Sequence, residues 1–182
     1  MVGVERTLEG SVNARVEIHN GDITALDVDA IVNAANERLA PGGGVCGAIH
    51  RAAGPGLAEA CVRVGGCPIG GARITEGYAL SARHVIHAVG PVWQGGTEGE
   101  DDLLASAYRS SLELAKRHGL ASIAFPAIST GIYGYPLKRA AGIAVATVCG
   151  WLDTEDGLGE VVFCVFGDAA EAAYREALAK RP

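Results

Sequence analysis

Two glycine-containing loops carry backbone groups that could bind an anion. The first, Gly42–Gly44, connects the polar segment Asn33–Asn36 to a predicted helix start at Val45, and the second is Ser129–Gly134. Glycines leave backbone N–H groups accessible to a ligand, and the N-terminus of a helix favours negative charge. Two such loops in one small domain predict a ligand with two phosphates.

The first loop also matches a dinucleotide-binding pattern, because Gly42–Gly47 fits G-x-G-x-x-G. That fingerprint needs its first glycine directly after a strand and an acidic residue about twenty positions later, at the end of the next strand. Here Ala34–Pro41 intervenes, and Glu59 falls in a predicted helix. A nicotinamide-dependent oxidoreductase is therefore disfavoured, whereas a merely flexible turn remains an alternative. The sequence has no Gly-Lys-Ser/Thr, which argues against a nucleoside triphosphatase.

Cysteine and histidine residues suggest other chemistry, which the spacing supports less well. Cys46 and His50 lie four residues apart on a predicted helix, so they share a face and could form a nucleophile and its base. No partner that would orient the histidine is evident. His84 and His87 fall on opposite faces of a predicted strand. Cys61 and Cys67 lack two further ligands at zinc-site spacing, and no metal is expected.

The elements that must position these residues alternate between helices and apolar strands. Strands are predicted at 12–19, 30–32, 72–80, 85–89, 122–127 and 161–166, and helices at 46–53, 57–64, 104–115, 137–152 and 169–180. The acidic, glycine-rich segment 94–102 is expected to be a solvated loop that leads into a helix. Continuous apolar strands that alternate with helices indicate a sheet covered on both faces. We expect one α/β domain over residues 1–182, a three-layer α/β/α sandwich around a mixed, largely parallel sheet.

The amino-acid composition indicates what kind of protein this is and which partners are disfavoured. With 49% apolar and 20% charged residues the chain is typical of ordered globular proteins. A net charge of −6 argues against a broad nucleic-acid or membrane surface. Five cysteines without a C-x-x-C pair, and no apolar run of signal-peptide or membrane-span length, predict a cytoplasmic protein. No cofactor is implied.

Five segments, in order, carry a resemblance to a known family: Gly21–Thr24, Val28–Asn36, Gly42–His50, His87–Pro91 and Ile128–Gly134. Together they resemble a macrodomain of the MacroD type, over about residues 21–166. Four or more ordered motifs are far more specific than any one of them. The resemblance implies removal of ADP-ribose from acidic side chains and deacetylation of O-acetyl-ADP-ribose. The partners would then be ADP-ribose and ADP-ribosylated proteins or O-acetyl-ADP-ribose.

The resemblance also implies a role for each site residue. Asp22, with the Ile23 backbone beside it, would accept from the adenine amino group, and Phe166 would form the platform for the ring unless it packs in the core. Asn36 would orient the distal ribose, unless it only caps its loop, and His50 would support the catalytic loop. Two loops would hold the diphosphate, with Ile132 and Tyr133 also walling the distal ribose: Gly43, Gly44, Val45 and Cys46; and Ser129, Thr130, Gly131, Ile132 and Tyr133.

Cys46 is where the chain departs from the pattern, since MacroD enzymes carry an aspartate there that positions or activates the attacking water. A thiol is a poorer general base than a carboxylate, and losing a general base costs about 10²–10⁴ in rate. Substrate phosphate could orient the water instead. We expect ADP-ribose binding with reduced or retuned hydrolysis of ADP-ribosyl esters by Asn36, Cys46 and His50. The alternative is a non-catalytic ADP-ribose reader.

Overall fold

One sheet organises the chain, whose computed structural model describes residues 14–181. Its six strands are β1 (Arg15–Asn20), β2 (Ala30–Ala34), β3 (Ala72–Glu76), β4 (His84–Ala88), β5 (Ser122–Phe125) and β6 (Glu160–Val165). The helices are α1 (Gly44–Ala53), α2 (Pro55–Val64), α3 (Glu100–Arg117), α4 (Leu137–Leu152) and α5 (Asp168–Ala179), with a 3₁₀ turn at Ile23–Ala25. The predicted residues Val12 and Asn13 of the first strand lie outside the described range.

The strands are ordered β1-β6-β5-β2-β4-β3 across the sheet. Neighbours pair in parallel except β3, which lies antiparallel to β4 at one edge. Helices α1 and α2 cover one face and α3, α4 and α5 the other, so the central strands are buried on both sides. This arrangement confirms the predicted mixed, largely parallel sheet in a three-layer sandwich.

Two apolar cores hold the layers together, one on each face of the sheet. The larger lies under α3, α4 and α5, where the aromatic rings of Tyr108, Phe125, Phe163 and Tyr174 follow one another at centroid distances of 5.1–6.3 Å. Such tilted ring pairs add to the stabilisation that burial already gives. The smaller core lies under α1 and α2, and its central side chains include Ile31, Ile49, Leu57 and Val85.

The carboxyl ends of four parallel strands lie side by side at the same end of the sheet. Strand β2 leads there to Asn36, β4 to Gly90, β5 to Ser129 and β6 to Phe166. Open α/β sheets bind ligands in the crevice outside these ends. The topology therefore brings together loops that are far apart in sequence.

The prediction of a strand over Ala72–Leu80 was wrong at its end. Strand β3 stops at Glu76, and Gly77 turns the chain, with its N–H bonded to Arg83 O at 2.7 Å. A Cβ at Gly77 would lie 1.9 Å from Ala82 O, so no larger residue fits this turn without a backbone shift. The turn at Gly77 therefore ends the strand, although the apolar pattern of the sequence continues to Leu80.

The predicted solvated loop over Gln94–Asp102 was wrong in part. Helix α3 begins at Glu100, a residue that is only 1% exposed. It accepts the backbone N–H groups of Gln94, Gly96 and Glu98 at 2.9, 3.0 and 2.7 Å. A buried carboxylate is tolerated here because three donors replace water. Within residues 14–181, no helix combines the length and apolarity that crossing a membrane requires.

Candidate functional site

Two adjoining cavities open at the carboxyl edge of the sheet. One, of about 560 Å³, is lined by Asp22, Ile23, Thr130 and Phe166 among others. The other, of about 230 Å³, is lined by residues predicted to act at the distal ribose, Asn36, Cys46, Ile132 and Tyr133, and by Ser129 of the predicted diphosphate loop. Both include the same four residues, Gly44, Val45, Ala127 and Gly131, in their walls. The site is therefore elongated, with the two glycine loops at its middle.

Asp22 and Phe166 form the outer end of the larger cavity. Asp22 caps the 3₁₀ turn, and its Oδ1 accepts from the hydroxyl and the N–H of Thr24 at 2.7 and 2.9 Å. These donors hold the pKa of Asp22 below its usual range, so the carboxylate is an ionised acceptor. Phe166 is 87% exposed, which excludes the alternative that it packs in the core. A carboxylate beside an open aromatic face suits a planar ring that carries a donor.

The first glycine loop ends in the N-terminus of α1. The first bond of the helix runs from Gly47 N to Gly43 O at 3.2 Å, so the N–H groups of Gly44, Val45 and Cys46 have no partner within the helix. A Cβ at Gly47 would lie 2.6 Å from Gly42 O, and this close approach folds the loop against its own helix. The loop therefore presents consecutive donors at the positive end of a helix dipole.

The second loop presents donors in the same way. The N–H groups of Thr130, Gly134 and Tyr135 donate to the carbonyl oxygens of Ala127, Gly131 and Ser129, respectively. In the described part of the chain, the intervening N–H groups of Gly131, Ile132 and Tyr133 have no protein acceptor. The Ile132 side chain is 91% exposed at the rim of the smaller cavity. The two loops together can bind a diphosphate by backbone donors alone.

Gly90 supports the second loop and was not among the predicted site residues. Ser129 is 6% exposed, has a φ of +67°, and its Oγ finds no hydrogen-bond partner among residues 14–181. A Cβ at Gly90 would lie 2.2 Å from this oxygen and 2.6 Å from Cγ2 of Ile128. Only a glycine allows the loop to lie so close to the end of β4. The segment His87–Pro91 was recognised in the sequence, but its role as a floor for Ser129 was not.

The second loop is also anchored from outside the cavities, by residues that sequence reasoning missed. Trp93 N donates to Tyr133 O at 2.8 Å, and the Trp93 and Tyr135 rings lie 4.7 Å apart. The Tyr135 hydroxyl donates to Asp101, which also pairs with Arg139 at 2.6–3.2 Å. Both partners hold the pKa of Asp101 below its usual range, the guanidinium most strongly. The start of α3 and the start of α4 thus fix one wall of the site.

Asn36 and Cys46 lie at the inner end of the smaller cavity. Asn36 donates from Nδ2 to Ala40 O at 2.9 Å and accepts from Ala40 N at 3.1 Å. The loop-capping alternative therefore describes what this side chain does here, while the residue also lines the cavity. Cys46 is 6% exposed; its thiol donates to Ala40 O at 3.8 Å and its sulfur accepts from Asn33 Nδ2 at 3.7 Å.

His50 is separated from both cavities, since it lines neither of them. It is 9% exposed, and neither ring nitrogen has a hydrogen-bond partner within the described residues. No hydrogen bond joins His50 to Cys46 among residues 14–181, so the Cys–His dyad is not formed. Burial lowers the pKa of His50, which keeps the ring neutral at pH 7.

Metal ligation finds no support in the described residues, where no group of three or more His, Cys, Asp or Glu side chains could hold an ion. His87 is fully buried, whereas His84 is half-buried on the other face of β4. The five cysteines, all of them within residues 14–181, are buried and unpaired.

Comparison with known proteins gives one consistent result. A family model described as Macro domain matches residues 32–144. A macro domain-containing protein of Chlorobaculum tepidum is 58% identical over 92% of this chain and 97% of its own length. A Klebsiella pneumoniae protein named O-acetyl-ADP-ribose deacetylase is 54% identical over 91% of this chain and 97% of its own. The Oceanobacillus iheyensis macrodomain, solved with ADP, superposes with a TM-score of 0.88 at 43% identity over 93% of each chain.

Proposed function

This chain belongs to the macrodomain family, and on that premise we propose that it binds ADP-ribose and hydrolyses ADP-ribosyl esters. The relative named O-acetyl-ADP-ribose deacetylase supports the choice of ester. The proposed substrates are O-acetyl-ADP-ribose and proteins mono-ADP-ribosylated on acidic side chains. Five unpaired thiols suit a reducing compartment, and we propose the cytoplasm as the place of action.

The continuity of the two cavities across both glycine loops is the observation that carries this proposal. Adenine would stack on Phe166 with its amino group near Asp22, and the diphosphate would lie between the two loops. The distal ribose would then reach Asn36, Cys46 and Tyr133. An acidic protein can hold two phosphates here because the donors are backbone N–H groups.

Hydrolysis adds one water to the ester. The bond between the ADP-ribosyl and acyl parts breaks, which leaves ADP-ribose with a free hydroxyl and a carboxylic acid that loses its proton to solvent at neutral pH. Asn36, fixed on both sides by Ala40, would orient the distal ribose for this step. Substrate phosphate between the loops would orient the water.

The second candidate is a reader that binds ADP-ribose without turnover, and Cys46 favours it. The thiol already directs its proton to Ala40 O, so it offers no strong base to a water in the cavity. Loss of a general base costs about 10²–10⁴ in rate. The two candidates therefore share one binding mode and differ only in whether the ester bond breaks.

Single-turnover release of ADP-ribose from a glutamate-modified protein separates the two candidates. The natural chain is compared with Cys46→Asp and with Asn36→Ala, and ADP-ribose affinity is measured by calorimetry on the same samples. Release that is lost in Asn36→Ala supports the hydrolase. Tight binding with no release, restored by Cys46→Asp, would make the protein a reader, and absence of ADP-ribose binding would overturn both candidates.

A further inference from the structure

A network of buried polar side chains extends from the inner end of the smaller cavity into the sheet. Asn33 on β2 and His87 on β4 are register partners, and Asn33 Nδ2 lies 3.1 Å from His87 Nδ1. On the other side of the ring, Nε2 lies 3.0 Å from the hydroxyl of Thr75 on β3. These three residues are 1%, 0% and 8% exposed. Burial of polar groups is costly unless they form hydrogen bonds, and the side-chain nitrogens and hydroxyl of these three residues all do so. Of their side-chain polar atoms, only Asn33 Oδ1 has no partner within residues 14–181.

The hydrogen bonds of this polar network run outward from Asn33, towards Thr75 on one side and towards Cys46 on the other. Burial, and next the nearby His50, lower the pKa of His87 to about 4, so at neutral pH one ring nitrogen donates and the other accepts. An amide nitrogen can only donate, so His87 Nδ1 accepts from Asn33 and Nε2–H donates to Thr75. The Thr75 hydroxyl in turn donates to Glu76 O at 3.2 Å.

At its other end, this network of hydrogen-bonded side chains reaches the sulfur of Cys46. The Asn33 amide has two N–H groups, of which one is directed to His87 and the other to Cys46 Sγ at 3.7 Å. With a donor on its sulfur, the thiol sends its own proton to Ala40 O. Each proton from Thr75 to Cys46 then has an acceptor.

We propose that Asn33 and His87 are positioning residues that fix the orientation of the Cys46 side chain at the inner end of the cavity. The pair does not touch the ligand and acts through Cys46. Its consequence for turnover rests on the proposed function, in which the distal ribose reaches the part of the smaller cavity that Cys46 lines. The donor on Asn33 also means that position 46 is built to receive an acceptor, sulfur in this chain and equally a carboxylate.

Alkylation of Cys46 in the ligand-free protein tests the proposal without relying on turnover. The full chain is treated with iodoacetamide, and each cysteine is followed by peptide mass spectrometry. Cys149 and Cys164 serve as internal references, because both are buried away from the network of polar side chains. The variants are Asn33→Leu, which removes both donors at similar volume, and His87→Gln, which keeps one acceptor and one donor. His84→Gln, on the other face of β4, is the matched control.

In Asn33→Leu the Cys46 side chain loses the bond that fixes it and can turn towards the cavity, so its alkylation rate is expected to rise roughly three- to tenfold, the factor that loss of one hydrogen bond gives. The rates of Cys149 and Cys164 are expected to stay unchanged, and His87→Gln and His84→Gln to remain near the natural chain. Equal acceleration of all cysteines would mean general loosening, and an unchanged Cys46 rate would mean no positioning; either result overturns the proposal.

Two further measurements keep the test decisive. If Asn33→Leu does not fold, Thr75→Val is the alternative variant, since it removes the acceptor of His87 Nε2–H at almost constant volume. It is expected to give a smaller, still selective rise in the alkylation rate of Cys46. ADP-ribose affinity is measured on the natural chain in parallel. Failure to bind ADP-ribose would count against the proposed function, whereas unselective alkylation with binding intact would count against the positioning role alone.

Discussion

The side chains of Asn36 and Cys46 donate to the same atom, the carbonyl oxygen of Ala40, at 2.9 and 3.8 Å. One backbone carbonyl group therefore fixes the positions of both side chains at the inner end of the smaller cavity. A movement of Ala40 would shift both together. This shared acceptor couples Asn36, which is proposed to orient the ribose, with Cys46, the residue on which the choice between hydrolase and reader depends.

Removal of the Phe166 ring should weaken binding and leave the fold intact. The ring is 87% exposed and lines the larger cavity, so Phe166→Ala removes a stacking surface and little core packing. Stacking of a base on an aromatic ring contributes about 1–3 kcal/mol, and ADP-ribose affinity is expected to fall about tenfold to a hundredfold. Calorimetry gives the affinity. Val62→Ala, at an 80% exposed site on α2, is the control and should change neither affinity nor melting temperature.

Gly90→Ala should disturb the second glycine loop, because the new Cβ would lie 2.2 Å from Ser129 Oγ. We expect a loss of about 1–3 kcal/mol in unfolding free energy, as in other overpacked sites, and weaker ADP-ribose binding. Urea unfolding and calorimetry measure the two effects. Gly142→Ala in α4 has open space around it and should stabilise by about 0.4–1 kcal/mol. If Gly90→Ala behaves like Gly142→Ala, the close approach does not govern the loop.

The order of elements could be predicted from the sequence, because apolar runs and glycines are local signals. Helix α4 spans the predicted residues Leu137–Leu152, for example. The pairing of Asn33 with His87 could not, since it joins positions 54 apart and depends on the register between β2 and β4. Burial of Glu100 was missed for the same reason: its three backbone donors come from a turn whose geometry no pattern reveals. Local patterns located the loops, and tertiary contacts decided what supports them.

Stability should fall as the pH drops below the ordinary pKa of histidine. His87 faces Asn33, Cys61 and Thr75, with His50 nearby, and burial lowers its pKa from 6.5 to about 4. Between these values the unfolded chain binds a proton that the folded chain does not. Acid therefore favours unfolding, by up to about 3 kcal/mol at pH 4 for this one residue.

Urea unfolding at several pH values between 7 and 4 measures this dependence. His87→Gln removes the titrating ring and should flatten the curve, while a residual slope is expected from His50, whose pKa burial also lowers. His84→Gln should keep the slope of the natural chain. An equal slope in His87→Gln and the natural chain would show that His87 is not the group that resists protonation.

The gain in hydrolysis from Cys46→Asp should depend on Asn33. A carboxylate at position 46 would receive the N–H that Asn33 now directs to the sulfur, and a hydrogen bond to a charged group contributes about 1.5–3 kcal/mol. Cys46→Asp in the natural background is expected to raise single-turnover release about 10²–10⁴-fold. With Asn33→Leu the same substitution should gain about ten to a hundred times less, because the carboxylate loses its donor.

A background of His84→Gln should leave the gain in hydrolysis unchanged, and ADP-ribose affinity should vary little among all these variants. Additive effects of the two substitutions would separate Asn33 from the chemistry, and a natural chain already as fast as its Cys46→Asp variant would mean that the thiol suffices.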